Sequence, residues 1–221
     1  MQNFATPAPV SAVVAVPAGR LTFVAADRSD TTVEVRPADA SKRRDAEAAE
    51  QTTVAYADGV LRVTAPEGRS AFGPSGSVEV TVQLPAGSAV EVTAASAPLR
   101  GVGRLGAVAV ETAHGDIKID EAASARLATQ AGDITVGRLT GPGTLSAAKG
   151  DLRVGEAVQG ALDLSTQACD ITVGVASGVT ASLDAGTTLG RVHNAITNSG
   201  GDVQVAIRAT TTMGDVSAHS R

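Results

Sequence analysis

From about residue 100 onward, apolar and polar positions alternate in short runs that recur along the chain. The runs are AHGDIKI (113–119), QAGDITV (130–136), AKGDLRV (148–154), QACDITV (167–173), TLGRVHN (188–194) and TMGDVSA (212–218). One column of this alignment holds Gly115, Gly132, Gly150, Cys169, Gly190 and Gly214, at successive spacings of 17, 18, 19, 21 and 24 residues. Two positions later the residues are Ile117, Ile134, Leu152, Ile171, Val192 and Val216, all apolar. One further on they are Lys118, Thr135, Arg153, Thr172, His193 and Ser217, all polar. Four after the column stand Ile119, Val136, Val154 and Val173, then Asn194 and Ala218. Upstream, five before the column, are Val110, Leu127, Leu145, Leu164, Ala185 and Ala209. This is a period of two, the signature of half-buried strands, where a helix would space its apolar residues by three and four. Each unit therefore reads as strand, G-D turn, strand.

A single such unit buries too few side chains to hold itself ordered, so its strands must find ladder partners in neighbouring units. The recurrence near one supersecondary unit predicts an all-β, β-solenoid or β-helix-like stack of about six strand-turn-strand repeats. If each unit stacks on the one before, the lengthening of the last two spacings and Asn194 in an apolar column mark the distorted end of the stack.

Residues 1–98 are strand-rich but do not follow the alignment, and are expected to form an antiparallel N-terminal cap leading into the repeat region at 99–221, the two making one continuous domain. Candidate strands are Val10–Val16, Arg20–Ala25, Thr31–Arg36, Thr53–Tyr56, Val60–Thr64, Ser77–Leu84 and Val90–Thr93. They are separated by turn signals such as Pro17-Ala18-Gly19, Asp58-Gly59 and Pro85-Ala86-Gly87, and hairpins are expected among them. Ser41–Gln51 is rich in helix formers and predicts one short surface helix with Ser41 as its N-cap. The segment Ala65–Gly76, with Pro66, Gly68, Gly73 and Pro74, reads as a flexible loop.

The chain resembles the bacterial adhesin-like proteins built on a β-strand-repeat domain of unknown function, over nearly its whole length. The carrying segments are FATPAPVSAVVAVPAG, AADRSDTTVEVRPADAS, DGVLRVTAP, GSVEVTVQLPAGS, GVGRLG, the repeated G-D-aliphatic turns, and ASLDAGTTLGRVHN with ATTTMGDVSA. The resemblance implies a β-solenoid-like fold, an adhesin-like role and no assigned catalytic residues. Two positions depart from the pattern. Cys169 stands where the turn has Gly, which argues against a strict need for positive φ there. Arg191 stands where the turn has Asp, which breaks a continuous row of carboxylates.

Composition narrows the function classes. The chain has 221 residues, with no Trp, one Tyr and three Phe, so its core must be aliphatic. A net charge of −5 argues against nucleic acid and anionic membrane surfaces as partners. One cysteine excludes an internal disulfide and suits a reducing compartment. The apolar stretch Val10–Val16 is short, bracketed by prolines and preceded by no Lys or Arg, so it reads as a strand, and a cytoplasmic location is expected.

The residues singled out form a structural turn row: Gly115 with Asp116, Gly132 with Asp133, Gly150 with Asp151, Cys169 with Asp170, Gly190, and Gly214 with Asp215. The aspartates could cap backbone N–H groups in their turns, or, stacked a rung apart, hold Ca²⁺ through hard oxygen ligands. The capping role is the expected one. GVGRLG (101–106) matches the dinucleotide fingerprint in letters, but the alternating AVAV that follows is a strand and not the helix that would hold a pyrophosphate. His114, His193 and His219 have no metal spacing, GPSGS (73–77) is not a nucleophile elbow, and Asp170 beside Cys169 disfavours a thiolate. Lys42, Arg43 and Arg44 read as a solvated face. No catalytic, cofactor or metal residue is assigned. The expectation is a non-enzymatic structural or interaction protein, meeting an unknown protein partner or itself. A carbohydrate-binding or carbohydrate-cleaving β-helix and a calcium-stabilised binding module are the alternatives.

Overall fold

The computed structural model describes residues 1–66, 76–198 and 200–221, and the chain divides into two compact units, Met1–Gly115 and Asp116–Arg221. All elements but one are strands. No helix among the described residues is long and apolar enough to cross a membrane.

In the first unit the strands are β1 (Gln2–Ala5), β2 (Ser11–Ala26), β3 (Asp30–Pro37), β4 (Thr53–Ala57), β5 (Val60–Thr64), β6 (Val78–Pro85), β7 (Ala89–Ser96) and β8 (Leu99–His114), with helix α1 (Arg43–Gln51) between β3 and β4. Strand β2 is the spine. Its first half pairs in parallel with β5 and β7, and its second half pairs in parallel with β6 and the start of β8. Pro17-Ala18-Gly19, expected to separate two strands, is instead a bend within one. Pro17 has no N–H to give and is skipped in the ladder to β7, while Gly19 takes φ 151° where a Cβ would lie 1.8 Å from the carbonyl oxygen of Val78.

The antiparallel cap expected over 1–98 is only partly found. Antiparallel ladders join β1 to β3, β3 to β6 and β4 to β5, but every pairing of β2 is parallel. The reason lies in the turns. Asp58 (φ 52°) and Gly59 (φ 77°) form a two-residue turn with both φ positive, which closes the β4–β5 hairpin. Pro85-Ala86-Gly87 is a corner that carries the chain from the ladder of one half of β2 to that of the other. The helix also starts later than expected. Ser41 is not its N-cap, because the Asp39 carboxylate takes both the Ser41 N–H (3.0 Å) and hydroxyl (2.6 Å). Those bonds hold the Asp39 pKa below its usual value, and α1 begins after Lys42 with no side-chain cap. The expected loop at Ala65–Gly76 falls mostly on 67–75, outside the described residues.

The second unit contains β9 (Ile117–Ala131), β10 (Ile134–Leu139), β11 (Gly143–Lys149), β12 (Leu152–Ala157), β13 (Gly160–Ala168), β14 (Ile171–Val175), β15 (Ala181–Leu189), β16 (Val192–Ala195), β17 (Val205–Met213) and β18 (Val216–Ser220). They form two ladders, parallel throughout. One runs β9–β10–β12–β14–β18–β16, the other β9–β11–β13–β17–β15. The apolar columns of the alignment pair Cα to Cα. Ile117, Ile134, Leu152, Ile171, Val216 and Val192 form one file, and Leu127, Leu145, Leu164, Ala209 and Ala185 another.

The final order differs from the expectation that each repeat stacks on the last. The segment 205–220 lies between 160–175 and 181–195, so the last repeat in the chain is second to last in space. Burial records this. Val216 is fully buried, whereas Val192, its file neighbour with no described strand paired beyond it, is 45 % exposed.

Replacing Leu145 by Ala removes a fully buried side chain flanked in register by Leu127 and Leu164. Urea unfolding should show a loss of about 2–5 kcal/mol. Leu183→Ala in the outermost, half-buried position should lose distinctly less. Equal losses would contradict the placement of 181–195 at the edge.

Candidate functional site

The turn row of the sequence is linked from rung to rung by hydrogen bonds in the second unit. The N–H of Asp133 donates to Asp116 Oδ1 (3.0 Å), that of Asp151 to Asp133 (2.9 Å), and that of Asp170 to Asp151 (3.1 Å). The N–H of Asp215 then donates to Asp170 (2.7 Å), and that of Arg191 to Asp215 (2.8 Å). Each carboxylate thus caps the exposed turn amide of the next rung. Arg191, the departure from the pattern, sits where no described rung follows and no carboxylate is called for.

The column before the aspartates is equally constrained. Gly132, Gly150 and Gly214 have φ of 143°, 146° and 139°, and Gly115, at the end of the first unit, 132°. A Cβ on Gly150 would lie 2.0 Å from the carbonyl oxygen of Gly132, and one on Gly214 2.1 Å from that of Cys169. Cys169 itself has φ 136°, so its presence does not relax the column, contrary to the sequence expectation. It is the strained member. The corresponding inter-rung bonds from Gly132, Cys169 and Gly214 N–H measure 2.9, 2.8 and 2.9 Å, while that from Gly150 to the Ala168 carbonyl stretches to 3.4 Å, at the step where a real Cβ enters the column. Gly190, on the outermost rung, lies outside the left-handed range.

A third file escaped the alignment although its signal is there. Three before the column stand Thr112, Thr129, Thr166, Thr187 and Thr211, with Ala147 interrupting. Thr166, Thr211 and Thr187 donate their hydroxyls to the carbonyls of Gly150 (3.3 Å), Cys169 (3.2 Å) and Gly214 (3.0 Å), the oxygens facing the column. At these three positions threonine fits a strand and also satisfies a turn carbonyl, whereas the buried hydroxyl of Thr129 has no partner among the described residues.

The other candidates do not converge. GVGRLG lies wholly within β8, with no helix after it. Cys169 is a partly exposed free thiol, and among the described residues no three His, Cys, Asp or Glu side chains are grouped as metal ligands. Residues 67–75 remove most of GPSGS from description. Lys42 pairs with Asp39 (3.4 Å) and Arg43 with Glu47 (2.6 Å), which raises the Arg43 pKa.

Outside the files, the strands present in-register polar columns. Arg126, Thr144, Asp163, Arg208 and Asp184 make one, in which Arg208 lies 3.6 Å from Asp184. Lys118, Thr135, Arg153, Thr172, Ser217 and His193 make another on the second ladder. A shallow depression of about 410 Å³ opens between Ser146, Ser165 and Gln167, with Thr129, Ala147 and Thr166 beneath.

A family model described as Toastrack DUF4097 matches residues 13–221, through both units. No curated protein matches the chain. Among solved structures, a protein of Bacteroides fragilis provisionally named an adhesin aligns over 98 % of this chain and 95 % of its own, with TM-score 0.57 and 11 % identity, a likeness of fold. A provisionally named cell adhesion protein of Clostridium sporogenes covers 100 % and 98 % with TM-score 0.43 and 11 % identity. An adhesin, again so named provisionally, of Parabacteroides distasonis covers 98 % and 95 % with TM-score 0.41 and 12 % identity.

Two substitutions test the turn geometry. Cys169→Gly should raise the melting temperature, since relief of a strained φ is worth about 1–3 kcal/mol and outweighs the added freedom of the unfolded chain at about 0.4–1 kcal/mol. Asp151→Ala, which uncaps the Asp170 amide, should cost about 0.5–1.5 kcal/mol, while Asp151→Asn, which keeps an acceptor oxygen, should cost less. A destabilised Cys169→Gly protein would overturn the strain argument, and equal losses for Ala and Asn would overturn the capping one.

Proposed function

The chain belongs to the Toastrack DUF4097 family, and on that premise we propose that it is a non-enzymatic, adhesin-like scaffold that binds a partner through its polar outer faces. The repeat region is, on this reading, a β-solenoid of about six strand-turn-strand repeats. The turn row is its structural seam. The observation that carries the proposal is the register of the outward columns. Side chains separated by 17–19 residues along the earlier rungs, and by 45 and then 24 at the last two steps, stand one rung apart, about 4.8 Å, on a backbone fixed by ladder bonds. Such a surface loses little backbone entropy on binding, so modest polar contacts are used efficiently. The depression bounded by Ser146, Ser165 and Gln167 is a place on it where a protruding partner group can be received.

A carbohydrate partner is less favoured. Sugar recognition leans on exposed aromatic faces, and the second unit has no aromatic residue. In the first, Phe23 is buried, and Phe4 and Tyr56 pack against each other with ring centroids 5.4 Å apart. The calcium reading has each aspartate Oδ1 already engaged by an amide.

Capture from native cells should use three baits: the parent protein, Ser146→Arg with Ser165→Arg on the face of the depression, and Thr135→Arg with Thr172→Arg on the other ladder. One protein retained by the parent and lost with a single face variant is the expected result. Retention of every captured protein by both variants would contradict binding through these faces.

A further inference from the structure

We infer that Arg191 and Asn194 together form an end stop: they fix the repeat 181–195 as the outermost rung and close that face to any further rung, the chain's own or a second copy's. The apolar files do not decide the order of the last two repeats. Leu183 and Ile207 are both aliphatic, Ala185 and Ala209 are identical, and Val192 and Val216 are identical, so either segment could lie directly on 160–175.

Two positions break the tie. An interior rung must receive a carboxylate cap on its turn amide and give one to the next. Asp215 does both, accepting the Arg191 N–H at 2.8 Å while its own N–H is held by Asp170 at 2.7 Å. Arg191 can receive but has no acceptor to give. An interior position would also put Asn194 in the file between Val173 and Ala218, both fully buried, where a carboxamide would lack partners. On the outside Asn194 is exposed, and its Oδ1 accepts the N–H of Ile196, turning the chain into the loop that follows β16. The same loop guards the edge, since the Asn198 carboxamide takes both the N–H (2.9 Å) and the carbonyl (3.0 Å) of Ala181, the first residue of β15.

A copy adding to this face meets the same obstacles. Its turn amide would find Arg191 in place of a carboxylate, and its apolar file would meet Asn194. Half-exposed Val192, the outermost member of its file, is then the residue of an unextended core.

The test pairs order with assembly, in a Cys169→Gly background. Ser165 and Gly186 both lie opposite Thr210, on its two sides. Introduced cysteines at 165 and 210 should therefore cross-link, and those at 165 and 186, two rungs apart at about 10 Å, should not. Sedimentation at high concentration should give a monomer. Arg191→Asp with Asn194→Val should reverse one or both results, with the 165–186 cross-link forming on refolding or the sedimenting mass at least doubling. The exposed single variant Arg191→Asp, which leaves the core untouched, should move the mass in the same direction if the double variant fails to fold. A parent that dimerises, or variants that keep both the cross-link pattern and the mass of the parent, would overturn the inference.

Discussion

At the Gly150, Gly190 and Gly214 corners of the second unit, the carbonyl oxygen of the neighbouring rung's turn occupies the space where a Cβ would be. The separation that a Cβ would have there is near 2 Å, and at Gly150 and Gly214 a left-handed φ adds a second reason for glycine, a backbone that Cys169 adopts only with strain. This contact sets the register. Once two rungs meet there, every residue after the corner is committed to a partner, because a slip of one position would turn each inward aliphatic outward. The aliphatic files, the hydroxyls of Thr166, Thr187 and Thr211 and the carboxylate-to-amide chain all follow from rungs meeting in that one arrangement.

Stability in such an array is a nearest-neighbour quantity. A rung in the interior has both faces covered, and its turn amide is capped from below while its carboxylate caps the amide above. A terminal rung can dispense with half of this. The chain makes that economy visible in 181–195, where the turn aspartate has become Arg191, an inward position has become Asn194, and Gly190 has left the left-handed range. Irregularities that look like decay of the pattern are the features that tell the rung where to sit.

Much of this was legible in the letters. The alternation at Ile117, Ile134, Leu152 and Ile171, with a glycine two residues before the first three and Cys169 before the fourth, states both the strand and the corner, because each follows from local geometry. The aspartates were expected to cap amides in their own turns, whereas their Oδ1 atoms accept from the turn amide of the next rung, 17 to 45 residues away in sequence, which local geometry does not determine. What was hidden is what local geometry does not determine. The files accept Ile207 or Leu183 beside Leu162 equally well, so the intercalation of 205–220 could not be read from them. Pro17 and Gly19 punctuate a sequence whether they break a strand or bend it, and only the pairing of β2 with strands on both sides of the bend distinguishes the two. Ser41 looked like a helix cap until Asp39 claimed its hydroxyl, a competition between two short polar side chains that the spacing alone left undecided.

The adhesin-like reading and the end stop rest on the same stack, one using its faces and the other its edge. Their common premise is that turn amides lying in solvent-exposed corners are held by carboxylates from the rung below. Amide hydrogen exchange measures it directly. Asp133, Asp151, Asp170 and Asp215 should show protection well above that of unstructured turn amides, with Arg191, on the outermost rung, the least protected of the capped set. Exchange of all five at the rate of a free chain would contradict the account.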